Sequence, residues 1–213
     1  MNLRGRVLFR RRRARRAAYL AAMLLADAGC TGLRPHLSQS PLHADVSDPI
    51  GDARADPGVS KPPDLVRGTA DVAGDAITFA IYFARGTFDR EDARVTIELD
   101  TDRNPSTVVR GDPSLGIDYV VYLRVRTGQA RIEKAVHASP CTAASPCYSE
   151  AGTVPLTILA DGLQATLPLS LIGSRDGRMN FRVFTYWPDR MSRGSTVLSD
   201  VMPDLDRPAA RVP

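Results

Sequence analysis

Three histidines, three cysteines and a single tryptophan are all that 213 residues offer of the side chains most used for catalysis, soft metal ligation and ring stacking. His36 and His43 fall in a polar, proline-containing stretch and read as solvated, which leaves His137 alone among apolar neighbours. A Ser-His-Asp triad needs a histidine oriented by a carboxylate, and a zinc site needs several nitrogen or sulfur ligands at set spacing. Neither pattern is present. The chain also lacks a G-x-S-x-G elbow, an H-E-x-x-H pair and a glycine-rich phosphate loop. Two acids flanking a cleft could hydrolyse a glycosidic bond, but a count of turn aspartates does not supply that geometry. The expectation is a protein that is not an enzyme.

No apolar run approaches the ~20 residues that a membrane-spanning helix requires. The short run from Ala17 to Ala26 follows a head containing Arg4, Arg6, Arg10 to Arg13, Arg15 and Arg16, and it ends in Asp27-Ala28-Gly29-Cys30. A positive head, an apolar middle and a small-residue end mark a secretory signal peptide, expected over residues 1–29. Those residues hold eight arginines and one aspartate, so their removal changes the formal charge from +4 to −3, with 20 basic and 23 acidic side chains left. The basic cluster thus belongs to targeting, and no nucleic-acid partner is expected.

Two processing sites compete. Ala26-Asp27-Ala28 fits ordinary signal cleavage, whereas Ala28-Gly29-Cys30 resembles the end of a bacterial lipobox, whose cysteine carries lipid. Cys141 and Cys147 lie close together in a turn-rich segment with Pro140 and Pro146, and they are expected to form a disulfide in an oxidising compartment. A loop this short stabilises by about 2 kcal/mol. Cys30 is then the odd thiol, and lipidation accounts for it. The expected location is exported: a lipoprotein anchored only through Cys30, or a secreted or periplasmic protein.

Residues 30–63 are rich in Pro, Ser, Asp and Gly and read as a flexible tether, disordered like the leader. Residues 64–206 read as one domain, and 207–213 as a tail. Within the domain the apolar period is two. Ile77, Phe79, Ile81 and Phe83 alternate with smaller or polar residues; so do Val95, Ile97 and Leu99, then Tyr119, Val121, Leu123 and Val125. Val154, Leu156 and Ile158, Leu163, Ala165 and Leu167, and finally Phe181 and Val183 continue the series. Alternation of this kind, bounded by Gly, Pro and Asp, marks half-buried strands. With no long helical pattern between them, an all-β fold follows, an antiparallel β-sandwich. Only Pro168-Leu-Ser-Leu-Ile-Gly173 reads as a single helical turn, capped by its glycine.

After the leader there are 19 aspartates and four glutamates. Aspartate bonds turn backbone, so much of this excess is structural. Asp100, Asp102 and Asn104 nevertheless alternate so that hard oxygens could converge on one cation, and calcium takes six to eight such ligands. Pro105 and Gly111 occupy positions where an EF-hand needs glycine and glutamate, which excludes that motif. If the strands ending at Leu99 and starting near Asp118 are antiparallel neighbours, Asp118 returns beside Asp100. The expected metal ligands are therefore Asp100, Asp102, Asn104 and Asp118, with calcium as a structural cation. A second group, Asp48-Pro-Ile-Gly-Asp52 with Asp64, reads first as ordinary turn chemistry. It is expected at the opposite end of the domain.

Taken in order, Asp48-Pro-x-Gly-Asp52, Leu99-Asp-Thr-Asp-x-Asn-Pro105, Gly116-x-Asp-Tyr119, Leu167-Pro-Leu-Ser-Leu-Ile-Gly173 and Asp200-x-x-Pro-Asp204 resemble exported bacterial DOMON-like β-sandwich domains, related to family-nine carbohydrate-binding modules. The resemblance covers about residues 45–206. It implies a jelly-roll-like sandwich that often binds calcium and, in some branches, sugars or haem. A sugar platform would need Tyr122 or Tyr148 beside Trp187; haem would need axial ligands such as His137, Met179 or Met191, whose spacing does not recommend them. Two partner classes follow: a glycan or similar extracellular ligand, or another protein of the cell envelope.

Overall fold

The period-two stretches fold as strands because alternation puts one row of side chains on a shared core and the other row outside. The computed structural model of the chain describes residues 41–54, 62–107, 115–136, 148–188 and 196–213, all within the compact unit Gln39–Pro213. The strands are β1 Leu42–Ser47, β2 Leu65–Ala73, β3 Ala76–Phe83, β4 Arg94–Asp100, β5 Tyr119–Arg124, β6 Gln129–Ala135, β7 Tyr148–Ile158, β8 Gly162–Pro168, β9 Met179–Pro188, β10 Thr196–Met202 and β11 Ala210–Val212. In β4, Val95, Ile97 and Leu99 are buried while Arg94 and Glu98 are half-buried on the other face. The all-β, antiparallel expectation holds.

Neighbouring strands run β1-β2-β3-β8-β7-β6-β5-β4-β9-β10, with β11 also paired to β9. Strand β7 joins the two halves of this path: residues 148–155 pair with β6, and residues 156–158 pair with β8. The halves share one core. Phe79 of β3 and Phe181 of β9 meet edge to face, centroids 5.4 Å apart, flanked by buried Ile77, Ile81, Ile97 and Leu123. Burying each such side chain contributes roughly 1.5–3 kcal/mol.

The sheet is nearly closed like a barrel. At its seam, β2 and β10 approach but are joined by loop and side-chain bonds instead of a ladder. The Leu65 N–H donates to Asp200 Oδ2 at 2.7 Å, Arg54 N–H to the Ser199 carbonyl at 2.8 Å, and Ser199 Oγ to the Pro63 carbonyl at 2.9 Å. A register shift between Leu198 and Asp200 leaves Ser199 unmatched in β10, and another leaves Val66 unmatched in β2. Such bulges bend a strand and re-aim its side chains. Here they sit on both sides of the seam.

Two boundaries differ from the sequence reading. The expected tether over 30–63 contains β1, which pairs with β2 along its length. Its side chains are small or polar apart from Leu42 and Val46, and only Ala44 is buried, so the alternation is weak even though the strand forms. There His43 bonds Asp71 at 2.6 Å and is not simply solvated. The expected tail over 207–213 contains β11, whose Ala210 and Val212 enter the core. The single helical turn is confirmed as a 3-10 turn over Leu169–Ile172, ended by Gly173 at φ 63°. Among the described residues, no helix is long and apolar enough to cross a membrane.

Candidate metal centre

Two acidic corners lie at opposite ends of β4. Asp200 is matched to Thr185 of β9, which is matched to Val95 near the start of β4. Asp100 ends that strand, five residues on, which is about 17 Å along an extended chain.

At the far corner, the structure brings Asp100, Asp102 and Asp118 together, with a carboxylate oxygen of each within 4.8 Å of the others. The antiparallel pairing of β4 with β5 does this, and the Asp118 N–H donates to the Leu99 carbonyl at 2.9 Å. These carboxylates are already engaged. Asp118 Oδ2 accepts from Thr101 N–H at 2.8 Å, Thr101 Oγ1 at 2.9 Å and Asp102 N–H at 3.1 Å. The Asn104 N–H donates to Asp100 Oδ1 at 3.1 Å and to Asp102 Oδ1 at 2.8 Å. Asn180 Nδ2 donates to Asp100 Oδ2 at 3.0 Å, a partner the sequence reading missed. The side-chain oxygen of Asn104 accepts from Ser106 N–H at 3.1 Å. Burial raises the Asp100 pKa, against the donations from Asn180 and Asn104. A β-carbon on Gly116 would strike the carbonyl of Asn104, so this glycine is what lets the returning chain close over the loop.

The seam corner holds five aspartates from three segments. Oxygens of Asp48, Asp52 and Asp204 lie within 4.8 Å of one another, as do those of Asp52, Asp64 and Asp200. Gly51, at φ 89°, turns the chain after β1 and donates its N–H to Asp64 Oδ2 at 2.8 Å. Asp200 is held by Leu65 N–H and by its own neighbour, Val201 N–H at 2.8 Å. Asp48 is only 8% exposed and Asp64 5%. Neither Asp48 oxygen has a hydrogen-bond partner, and neither does Asp64 Oδ1. Burial, then the charges of Asp200, Asp52 and Asp204, push the Asp48 carboxyl up to about 7. Burial pushes Asp200 to about 6 against its two backbone donors, and it also raises Asp64. A cleft of about 320 Å³ opens beside Asp52, Asp200 and Asp204.

The sequence reading put Asp48, Asp52 and Asp64 in one group but left out Asp200 and Asp204. A usable signal was there: Asp200 is an acid inside the largely apolar strand β10, where a charge is costly without a partner. Both corners could hold a metal ion, and their all-oxygen donors suit hard cations.

A third feature lies on the outer face of β4, β5, β6 and β9. Tyr122 has the guanidinium groups of Arg124 and Arg131 at 5.6 and 5.1 Å from its ring centroid. Tyr186 is matched to Arg94 in the adjacent strand. Burial, followed by the Glu98 charge, pushes the Tyr148 and Tyr186 hydroxyls up to about 12. Cys30, Cys141, Cys147 and His137 lie outside the described residues, as does the side chain of Trp187. No protein-family model matches this chain, and no curated protein matches its sequence. The likeness to DOMON-like domains rests on the quoted motifs alone.

Proposed function

We propose that this chain is a non-catalytic, exported or lipid-anchored β-sandwich module of jelly-roll-like type, stabilised by calcium, that binds a glycan or similar extracellular ligand. The observation that carries the ligand reading is the tyrosine–arginine face. Half-buried Tyr122 and Tyr186 stand beside Arg94, Arg124 and Arg131 on paired strands, and half-buried Tyr148 packs with Tyr122 against Leu115, Ile117 and Val120. Rigid aromatic and guanidinium groups are what a sugar ring or a carboxylated sugar would use for stacking and hydrogen bonding. The calcium reading is supported by oxygen-rich acidic corners, and the export reading by the leader pattern ending at Cys30.

A glycan array tests the ligand. Binding to a defined set of sugars that disappears in Tyr122→Ala supports the reading. Uniform silence favours the second reading, a protein-interaction domain of the cell envelope, for which exposed Ile50, Ile158 and Leu205 offer apolar contacts. Mass spectrometry of the mature N-terminus decides anchoring: a lipid on Cys30 is expected, and an unmodified start at Gly29 excludes it.

A further inference from the structure

We propose that Asp48, Asp52, Asp64, Asp200 and Asp204 bind a divalent cation of the calcium class, and that this cation clasps the seam between β2 and β10. The proposal deepens the calcium part of the function above and rests on it, but it moves the ligands from the Asp100 loop to the seam.

Convergence alone would not assign a cation, since acids often gather at turns. The second observation is the state of Asp48. Its carboxylate is more than nine-tenths buried and aimed into the group, and both oxygens are without a partner. Asp64 adds a third unpartnered buried oxygen. An ionised carboxylate in that position must gain a counter-charge or take up a proton. Among the described residues, no basic side chain forms an ion pair with Asp48 or Asp64. Arg207 pairs with the outer member, Asp204, at 3.6 Å, and its charge acts on Asp48 only from a distance, too weakly to offset burial. Among the described residues, neither buried carboxylate thus has a cation paired to it.

The surroundings fit a cation's requirements. All donors are oxygens, drawn from three separate segments instead of one rigid loop, which suits the six to eight irregular ligands of calcium better than the strict octahedron of magnesium. The cleft beside Asp52, Asp200 and Asp204 gives solvent, and so an ion, a way in. Position explains the benefit. Asp48 and Asp52 flank the turn after β1, Asp64 precedes β2, and Asp200 and Asp204 belong to β10 and the turn after it. A cation held at the shared Asp52, with Asp48 and Asp204 or with Asp64 and Asp200, would tie these segments across the seam, where the described residues of β2 and β10 form no strand ladder.

The test uses the full chain freed of metal with chelator, then titrated calorimetrically with calcium chloride and followed by thermal melting. We expect binding and, at saturating calcium, a rise in Tm of about 5–10 °C. Asp48→Asn should weaken calcium at least about tenfold, since ligand charge sets affinity, and should remove the Tm rise. Because the amide is isosteric and uncharged, this variant should melt no lower than wild type in chelator, which separates a lost ligand from a lost fold. Asp102→Asn should keep wild-type affinity. If calcium binds and is lost in Asp102→Asn but not in Asp48→Asn, the calcium reading stands and the seam site is overturned. If wild type shows neither heat nor Tm shift, both fail.

Discussion

At the Asp100 corner the carboxylates serve their own loop, accepting from Thr101, Asp102, Asn104 and Asn180. At the seam, Asp48 accepts from nothing and Asp64 leaves one oxygen unused. Both corners carry at least three aspartates at similar spacing, so charge count does not distinguish them. What differs is where the acceptors are spent. A carboxylate that organises backbone N–H groups is a structural part whatever ion is added. One that is buried and unpaired marks a place where something else completes the structure. Acid clusters are better ranked by unsatisfied oxygens than by number.

The largest effect should come from Gly116→Val. Its β-carbon meets the Asn104 carbonyl, so the Asp100 corner must open, at a cost of about 3 kcal/mol in urea unfolding. The loss should be the same in calcium and in chelator. A calcium-dependent loss would break the contrast between the corners. Next, Asp118→Ala strips the acceptor from two backbone N–H groups and a hydroxyl and should destabilise by about 2 kcal/mol, again regardless of calcium. Asp64→Asn should act in the opposite direction. The amide oxygen can still accept from Gly51, and removing a buried charge should stabilise the chelated protein by about 1 kcal/mol. Destabilisation of similar size would mean that the seam is as well satisfied as the loop.

A pH trend in chelator gives a separate check. Asp48 and Asp200 sit at about 7 and about 6 in the fold, above the ordinary 3.8. A group raised in this way holds its proton more tightly when folded, so its contribution is complete below about pH 4 and is lost as pH rises through about 6 and 7. Urea melts of chelated protein should therefore show stability falling between about pH 5 and pH 7.5. A rise over that window would remove the argument from buried, unpaired acids.

Much of the fold was legible because alternation is a local property. β3, β4, β5, β8 and β9 follow directly from their apolar periods, and the cap at Gly173 from a single glycine. β6 was harder to read, since only Ala130 and Ile132 of its seven residues are fully buried apolar side chains. β10 was obscured by its bulge, which puts Asp200 out of step. β1 looked like linker because an edge strand buries little. The Asp100–Asp118 pairing was legible through one strand connection. No local pattern could have singled out Asn180, whose bond to Asp100 depends on β9 lying against β4.

Side-chain periodicity and turn chemistry settled, by themselves, that this chain makes antiparallel strands, since each residue's preference for one face needs only its near neighbours. They could not settle which acids meet. Asp48 and Asp204 are brought together only when the sheet bends round its core and its two ends return to one seam. Desolvation, which makes an unpaired carboxylate costly, exists only once that packing has removed the water.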